Sequence, residues 1–405
     1  MEIQQKIKAL SQDFESFYLY DEAGIIQAAN QLQVTFPEIS FLYSMKCNAN
    51  MDVNQSIFRQ GYGADAASLQ EVYRAQRLGL KPDQIYYSAP GKSDNEIIAA
   101  LDKSMIIADS LAEVRRIEQI AQDLEQAVKI GVRINPAISF EGGPGTASKF
   151  GIDEDQFIDF AQKERLNHVE IVGLHIHLRS QELQAEVLLT YYQNLFRLAR
   201  RIQEHTGMDL TYLNMGSGIG IPYSSQDSRL DLDQLKQGLQ PAMKDFKEDF
   251  PDVNLIIEVG RYLVGNHGYY ASRVMDRKLS QGQTFLILKN TLNGFIRPSL
   301  AQLVAKYSQD EQPMASEPLF TKIDAFDFIP LGDSKTKERV NLVGNLCTGT
   351  DLIVEQIELE RLEIGDVLMI TNAGAYAQVL SPHQFSSQER PVEILLRENG
   401  NIVIN

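Results

Sequence analysis

Between about residues 40 and 260 the chain repeats one unit eight times: a short apolar run, then a polar or amphipathic stretch of helical length. The runs cover 41–46, 63–66, 85–89, 105–109, 128–135, 169–177, 210–215 and 254–259. Helical patterns such as 69–80, 111–126, 183–205 and 232–250 lie between them. Strand then helix, eight times over, is the arithmetic of a (β/α)8 barrel. A doubly wound open sheet is the competing arrangement. After Gly265 the texture changes to short β-like runs at 269–274, 284–288, 341–346, 367–371 and 392–396, punctuated by Gly, Pro and Asp. A chain of 405 residues exceeds what one core usually serves. The reading is therefore an α/β barrel over 36–265 and a β-rich part built from 1–35 and 266–405. The strand-like segment 17–21 joins the latter, and the polar stretch 308–318 reads as a loop.

Thirty-eight Lys and Arg against 54 Asp and Glu leave a net charge of −16. Such a balance disfavours nucleic acid and anionic membranes as partners. No run reaches the ~18 apolar residues of a membrane span, and the first eight residues lack a signal-peptide core. Two cysteines, Cys47 and Cys347, make no disulfide framework, so a cytoplasmic location is expected. The six histidines and two cysteines show no zinc spacing, and no metal is expected.

Active sites of such barrels sit at the C-terminal strand ends. Those ends carry Lys46, Asp65, Arg133, His177, the loop Gly216-Ser-Gly-Ile-Gly220, and Glu258-Val-Gly-Arg261. A lysine at the end of a buried strand loses hydration, which lowers its pKa and exposes a nucleophilic amine able to form a Schiff base with a carbonyl cofactor. Alternate glycines let backbone N–H groups converge on an anion. The Gly-x-Gly-x-Gly spacing, with Pro222 following, suits a single phosphate better than a dinucleotide. Glu258 would keep a pyridine nitrogen beside it protonated, or form an ion pair with Arg261 or Arg133. His175 and His177 alternate along their run; His177 would stack on a flat cofactor, and Ser180 follows within reach of a phosphate.

Together with Cys347 in Gly344-Asn-Leu-Cys-Thr-Gly-Thr-Asp351 and Tyr376 in Ala373-Gly-Ala-Tyr376, these motifs resemble the fold-type III pyridoxal-phosphate decarboxylases. That group holds ornithine and diaminopimelate decarboxylases and shares its barrel with alanine racemase. The resemblance spans nearly the whole chain. It implies that Lys46 binds pyridoxal 5'-phosphate covalently, that His177 stacks on the ring, and that Glu258 pairs with its nitrogen. Asp65 and Arg133 would support the lysine and ring. Ser180, Gly216, Gly218, Gly220, Gly260, Arg261 and Tyr376 would surround the phosphate. It also implies a head-to-tail homodimer, in which Cys347 and Tyr376 reach the other subunit's site and Cys347 donates a proton to Cα.

The resemblance implies a small-molecule amino-acid substrate. Ornithine and diaminopimelate enzymes carry an acidic residue directly after the cysteine, where this chain has Thr348. Losing the partner of a buried distal amine costs about 2–5 kcal/mol. Arg179 stands where glycine is usual before Ser180, and Arg297 lies in a segment resembling the diaminopimelate enzyme's arginine segment. Arginine suits bidentate carboxylate capture. Arg179, Arg297, Thr348 and Asp351 are thus the expected substrate contacts. The Leu-Cys-Thr-x-x-Asp form looks like decarboxylases of siderophore biosynthesis that act on citryl-amino-acid intermediates. A related branch acts on a glutamyl group tethered to a carrier protein. Rival readings are a diaminopimelate decarboxylase, an amino-acid racemase and an inactive regulatory homologue.

Overall fold

The computed structural model describes residues 2–307 and 322–405, so the stretch 308–318 lies outside the described residues. Helix α1 (Glu2–Leu10) and strand β1 (Ser16–Asp21) come first, and α2 (Glu22–Thr35) leads into the barrel. The barrel strands are β2 (Ile39–Ser44), β3 (Gly63–Ala66), β4 (Ile85–Ser88), β5 (Met105–Ala108) and β6 (Val128–Asn135). After the two-residue β7 (Ile152–Asp153) come β8 (Val169–His175), β9 (Tyr212–Asn214) and β10 (Asn254–Val259). They pair in parallel in the order β5-β4-β3-β2-β10-β9-β8-β6, β5 and β6 close the ring, and β7 hangs on β6. Eight parallel strands in a closed ring are the barrel that the alternation predicts. Helices α3 (Met51–Phe58), α4 (Leu69–Arg77), α5 (Asp94–Ala100), α6 (Leu111–Asp123), α7 (Glu154–Lys163), α8 (Ala185–Thr206) and α9 (Leu232–Asp249) form its jacket.

Side chains alternate across each strand, so the strands feed two separate cores. One face meets the helices in the main apolar core. The other fills the barrel lumen with Leu42, Tyr86, Ile107, Val172, Tyr212 and Ile256. Tyr86 and Tyr212 meet edge to face there, centroids 5.2 Å apart. A Cβ at Gly131 would fall 2.0 Å from the Tyr212 hydroxyl and one at Gly173 2.2 Å from its ring, so these two glycines are what admits a tyrosine to the lumen.

Beyond α10 (Arg261–Val264) the β-rich part holds β11 (Gly268–Ser280), β12 (Gln283–Leu288), β13 (Phe328–Pro330), β14 (Lys337–Gly344), β15 (Leu352–Glu360), β16 (Val367–Ile370), β17 (Val392–Leu396) and β18 (Ile402–Ile404). Helix α11 (Ile296–Tyr307) follows β12. The sheet runs β15-β14-β12-β11-β1-β17-β18, with β16 bridging β11 and β13. Strand β1 lies between β11 and β17, which ties the N-terminus into this sheet. Helix α2, by contrast, packs on α3, α9 and α10. The change of part therefore falls at Asp21/Glu22 rather than at residue 36. Among the described residues no helix is long and apolar enough to cross a membrane.

Candidate active site

Lys46 sits in a single 3-10 turn, Met45–Cys47, directly after β2. Its Nζ donates to Asp65 Oδ2 at 3.0 Å. Asp65 is fully buried, and Ser44 Oγ and Ser88 Oγ also donate to it, at 2.8 and 2.7 Å. The sequence suggests a lysine with a depressed pKa, and here the structure corrects it. Burial pulls the amine down, but Asp65 and then Glu258 outweigh it, and the net shift is upward.

Glu258, on β10, is 2% exposed. Burial alone would raise its pKa, but His175, Lys46 and His177 bring it well below the usual carboxylate range. Asn214 Nδ2 donates to its Oε1 at 2.8 Å, and His175 Nε2 stands 3.1 Å from the same oxygen. The partner of Glu258 is thus His175, not Arg261 or Arg133. His177 lies past the end of β8, which stops at His175 rather than at 177. Its Nδ1 accepts the Ser217 N–H at 3.0 Å, which fixes the tautomer with the proton on Nε2. Burial, with help from the Lys46 and Arg133 charges and against the pull of Glu258, drops its pKa to about 3, so the ring is neutral at physiological pH. Arg133 donates to the His177 carbonyl at 3.3 Å, lies 3.6 Å from Asp109, and stacks over Phe150.

The glycine loop closes around this group. Gly216 has φ +64°, and a Cβ there would meet the Ile176 carbonyl at 2.3 Å. Gly218 O accepts from Glu182 N at 2.8 Å and Gly220 N donates to Glu182 O at 3.0 Å, which laces the loop to the segment after Ser180. Gly260 lets the backbone pass within 2.9 Å of the Cys47 Cβ, measured from where its own Cβ would stand. Arg261 is buried; it donates to the Tyr223 hydroxyl at 2.6 Å and lies over the Tyr376 ring at 4.9 Å. Ser44, Lys46, His177, Ser180, Ser217, Ile219, Gly260, Arg261 and Tyr376 line one cavity. Tyr376 thus serves the cavity of its own chain, with its N–H on the Cys47 carbonyl at 2.8 Å, and the expectation that it reaches another subunit is corrected.

The expected substrate contacts do not join this cavity. Cys347 is exposed, with its Sγ 3.6 Å from Ser386 Oγ, and Thr348 Oγ1 lies 2.9 Å from Thr350 Oγ1. Asp351 turns inward: Leu292 N and Leu346 N donate to it at 3.0 and 2.9 Å, and Thr291 Oγ1 donates as well. It holds the turn together and offers no oxygen to a substrate. Arg297 is fully buried, gives its guanidinium to the Ala375 carbonyl at 3.0 Å, and lies against Tyr223 and Phe326. It braces the segment before Tyr376 instead of gripping a carboxylate. Arg179 is held by Glu141 at 2.7 Å and by Glu182, over the Phe140 ring. Sequence reasoning missed Ser44, Ser88, Asn214 and Ser217. Their signal was weak: each is a small polar residue at or just past a strand end, a type common on any surface.

A paired amine, a flat neutral imidazole, an ionised buried carboxylate, and a lining of hydroxyls, a guanidinium and Gly260 fit a flat, aldehyde-bearing pyridine phosphate. The N–H groups of Gly216 and Gly220 are spent on Asn214 and Glu182, and do not converge on an anion as the spacing suggested. Comparison with known proteins points the same way. Residues 22–265 match the family described as pyridoxal-dependent decarboxylase, pyridoxal binding domain. The chain is 30% identical to the L-glutamyl-(BtrI acyl-carrier protein) decarboxylase of Niallia circulans, over 98% of this chain and 92% of that one. It is 26% identical to the 2-((L-alanin-3-ylcarbamoyl)methyl)-2-hydroxybutanedioate decarboxylase of Staphylococcus aureus, over 94% of each. The crystal structure of diaminopimelate decarboxylase from Helicobacter pylori complexed with L-lysine superposes with a TM-score of 0.82 at 27% identity, over 98% of this chain and 95% of that one.

Proposed function

We propose, for a chain that belongs to the pyridoxal-dependent decarboxylase family, that the substrate is an α-amino acid bearing a distal acidic group, in particular a citryl-amino-acid conjugate. Membership makes the protein a pyridoxal-phosphate enzyme that releases CO2 from an amino acid. Bound pyridoxal phosphate supplies an electron sink for the pair left behind by CO2. The chain's residues do the rest. Lys46 offers the amine that anchors the cofactor, and Asp65 holds that amine in place. Glu258 stands ionised for the ring nitrogen, and His177 presents a neutral face to the ring. Arg261, Ser180, Ser217, Gly260 and Tyr376, which line the cavity, would hold the phosphate. In a homodimer, Cys347 of the partner subunit returns a proton to Cα.

The observation that carries the substrate reading is the 347–351 turn. Its one carboxylate, Asp351, is turned inward and satisfied by three donors, so the turn displays a thiol and hydroxyls and nothing anionic for a distal ammonium. One of the relatives above supports it: its name specifies a hydroxybutanedioate, which is a distal acidic group. The arginines no longer contribute, since Arg179 and Arg297 are engaged elsewhere. Diaminopimelate remains the second reading, favoured by the likeness to the Helicobacter pylori enzyme. The relatives are decarboxylases, which leaves the racemase reading without support. Thr348→Glu tests the substrate proposal. It is expected to lower kcat/KM for a citryl-amino-acid by about tenfold or more and to improve diaminopimelate relative to it. An unchanged ratio between the two substrates contradicts the proposal.

A further inference from the structure

Three neighbouring strands bring His175, Asn214 and Glu258 to one place. His175 and Asn214 are register partners across β8 and β9, and Glu258 lies two residues beyond Ile256, which pairs with Asn214 across β9 and β10. All three are buried, at 1%, 0% and 2% exposure. Asn214 Nδ2 and His175 Nε2 converge on one atom, Glu258 Oε1, at 2.8 and 3.1 Å. Among the described residues nothing donates to Oε2; His175 Nε2 meets Oε1 as an ion-pair contact without hydrogen-bond geometry, and His175 Nδ1 has no hydrogen-bond partner. Glu258 is therefore the polar neighbour that accounts for a histidine at this depth. The cluster also continues into the glycine loop: Asn214 Oδ1 accepts from Gly216 N at 3.0 Å, and Glu258 N donates to Gly216 O at 2.8 Å.

A buried carboxylate needs compensation, and two groups on one oxygen settle both its charge and its rotamer. We infer that His175 is a positioning residue for the cofactor: with Asn214 it holds Glu258 through Oε1 and leaves Oε2 for the ring nitrogen. This rests on the reading that Glu258 faces that nitrogen. His175 acts through Glu258 and touches neither substrate nor cofactor.

The test compares His175→Gln with His175→Asn. The glutamine amide reaches the place of Nε2; the asparagine amide falls short of Glu258. Pyridoxal phosphate is titrated into the apo form of each variant, and the pH midpoint of the bound cofactor's visible absorbance is recorded. The asparagine variant is expected to bind on the order of 10- to 100-fold more weakly, with a displaced midpoint, while the glutamine variant stays near wild type. A merely structural histidine would make the two variants alike, and that result overturns the inference. Glu258→Gln separates the two levels of the claim. If it leaves affinity and absorbance unchanged, the reading of Glu258 itself fails; if it disturbs both while the two His175 variants behave alike, only the role of His175 fails.

Discussion

Lys46 carries its charge in the absence of cofactor because Asp65 lies 3.0 Å away, while Ser44 and Ser88 keep that carboxylate in place. Lys46→Ala is expected to abolish the visible band of bound cofactor together with CO2 release; a variant that keeps both would move the anchor elsewhere. His177 makes a second prediction. Its pKa falls from the ordinary 6.5 to about 3, first through burial. Between those values the unfolded chain binds the proton and the folded chain does not. Stability from this residue is thus complete above pH 6.5 and declines as pH falls through the window. Urea unfolding of the apo protein should show wild type losing up to about 1 kcal/mol more than His177→Phe between pH 6 and 5. Parallel pH curves would contradict the neutral histidine. The residue types at the site were readable because a lysine, a carboxylate and a histidine rarely end apolar runs. The direction each side chain takes was not. Nothing local in the sequence distinguishes an arginine aimed at substrate from Arg297, which is buried on the Ala375 carbonyl.

The eight barrel strands were legible as elements because each is a continuous apolar run with a helical stretch behind it. Ends were less legible. Strand β8 stops at His175, two residues before its apolar run does, because the chain must leave the ring to bring His177 over the site. The clamp between the ends of β4 and β5 gave no sequence signal at all. Lys92 is fully buried, and its Nζ donates to the carbonyls of Ala89 and Ile107 and to Glu113, each at 2.7 Å. Three acceptors satisfy the three protons of one ammonium. Lys92→Met strands a buried carboxylate and is expected to cost about 3–5 kcal/mol in chemical unfolding. Lys92→Met combined with Glu113→Leu should recover much of that loss. Equal destabilisation of the single and double variants would show that the pair is not a unit.

On the scale of the whole molecule, the barrel supplies the cavity and the β-rich part supplies two segments with different reach. Tyr376 closes the cavity of its own chain, whereas the Cys347 turn is exposed and does not line it. The proposed homodimer with shared sites would give that turn a task. Mixing Lys46→Ala with Cys347→Ala, each inactive alone, should restore about a quarter of wild-type activity through hybrid dimers with one intact site in two. No recovery under exchange conditions would place the proton donor elsewhere. The division into two parts was legible from the change in texture near Gly265. The assignment of α2 was not, since an amphipathic helix does not state which core receives it. The most direct test of the account is CO2 release by the cofactor-loaded protein from diaminopimelate, ornithine, lysine, glutamate and citryl-diaminopropionate under identical conditions. Turnover confined to the citryl conjugate, or favouring it strongly, is the predicted result. Efficient turnover of diaminopimelate with none of the conjugate would contradict the reading of the 347–351 turn.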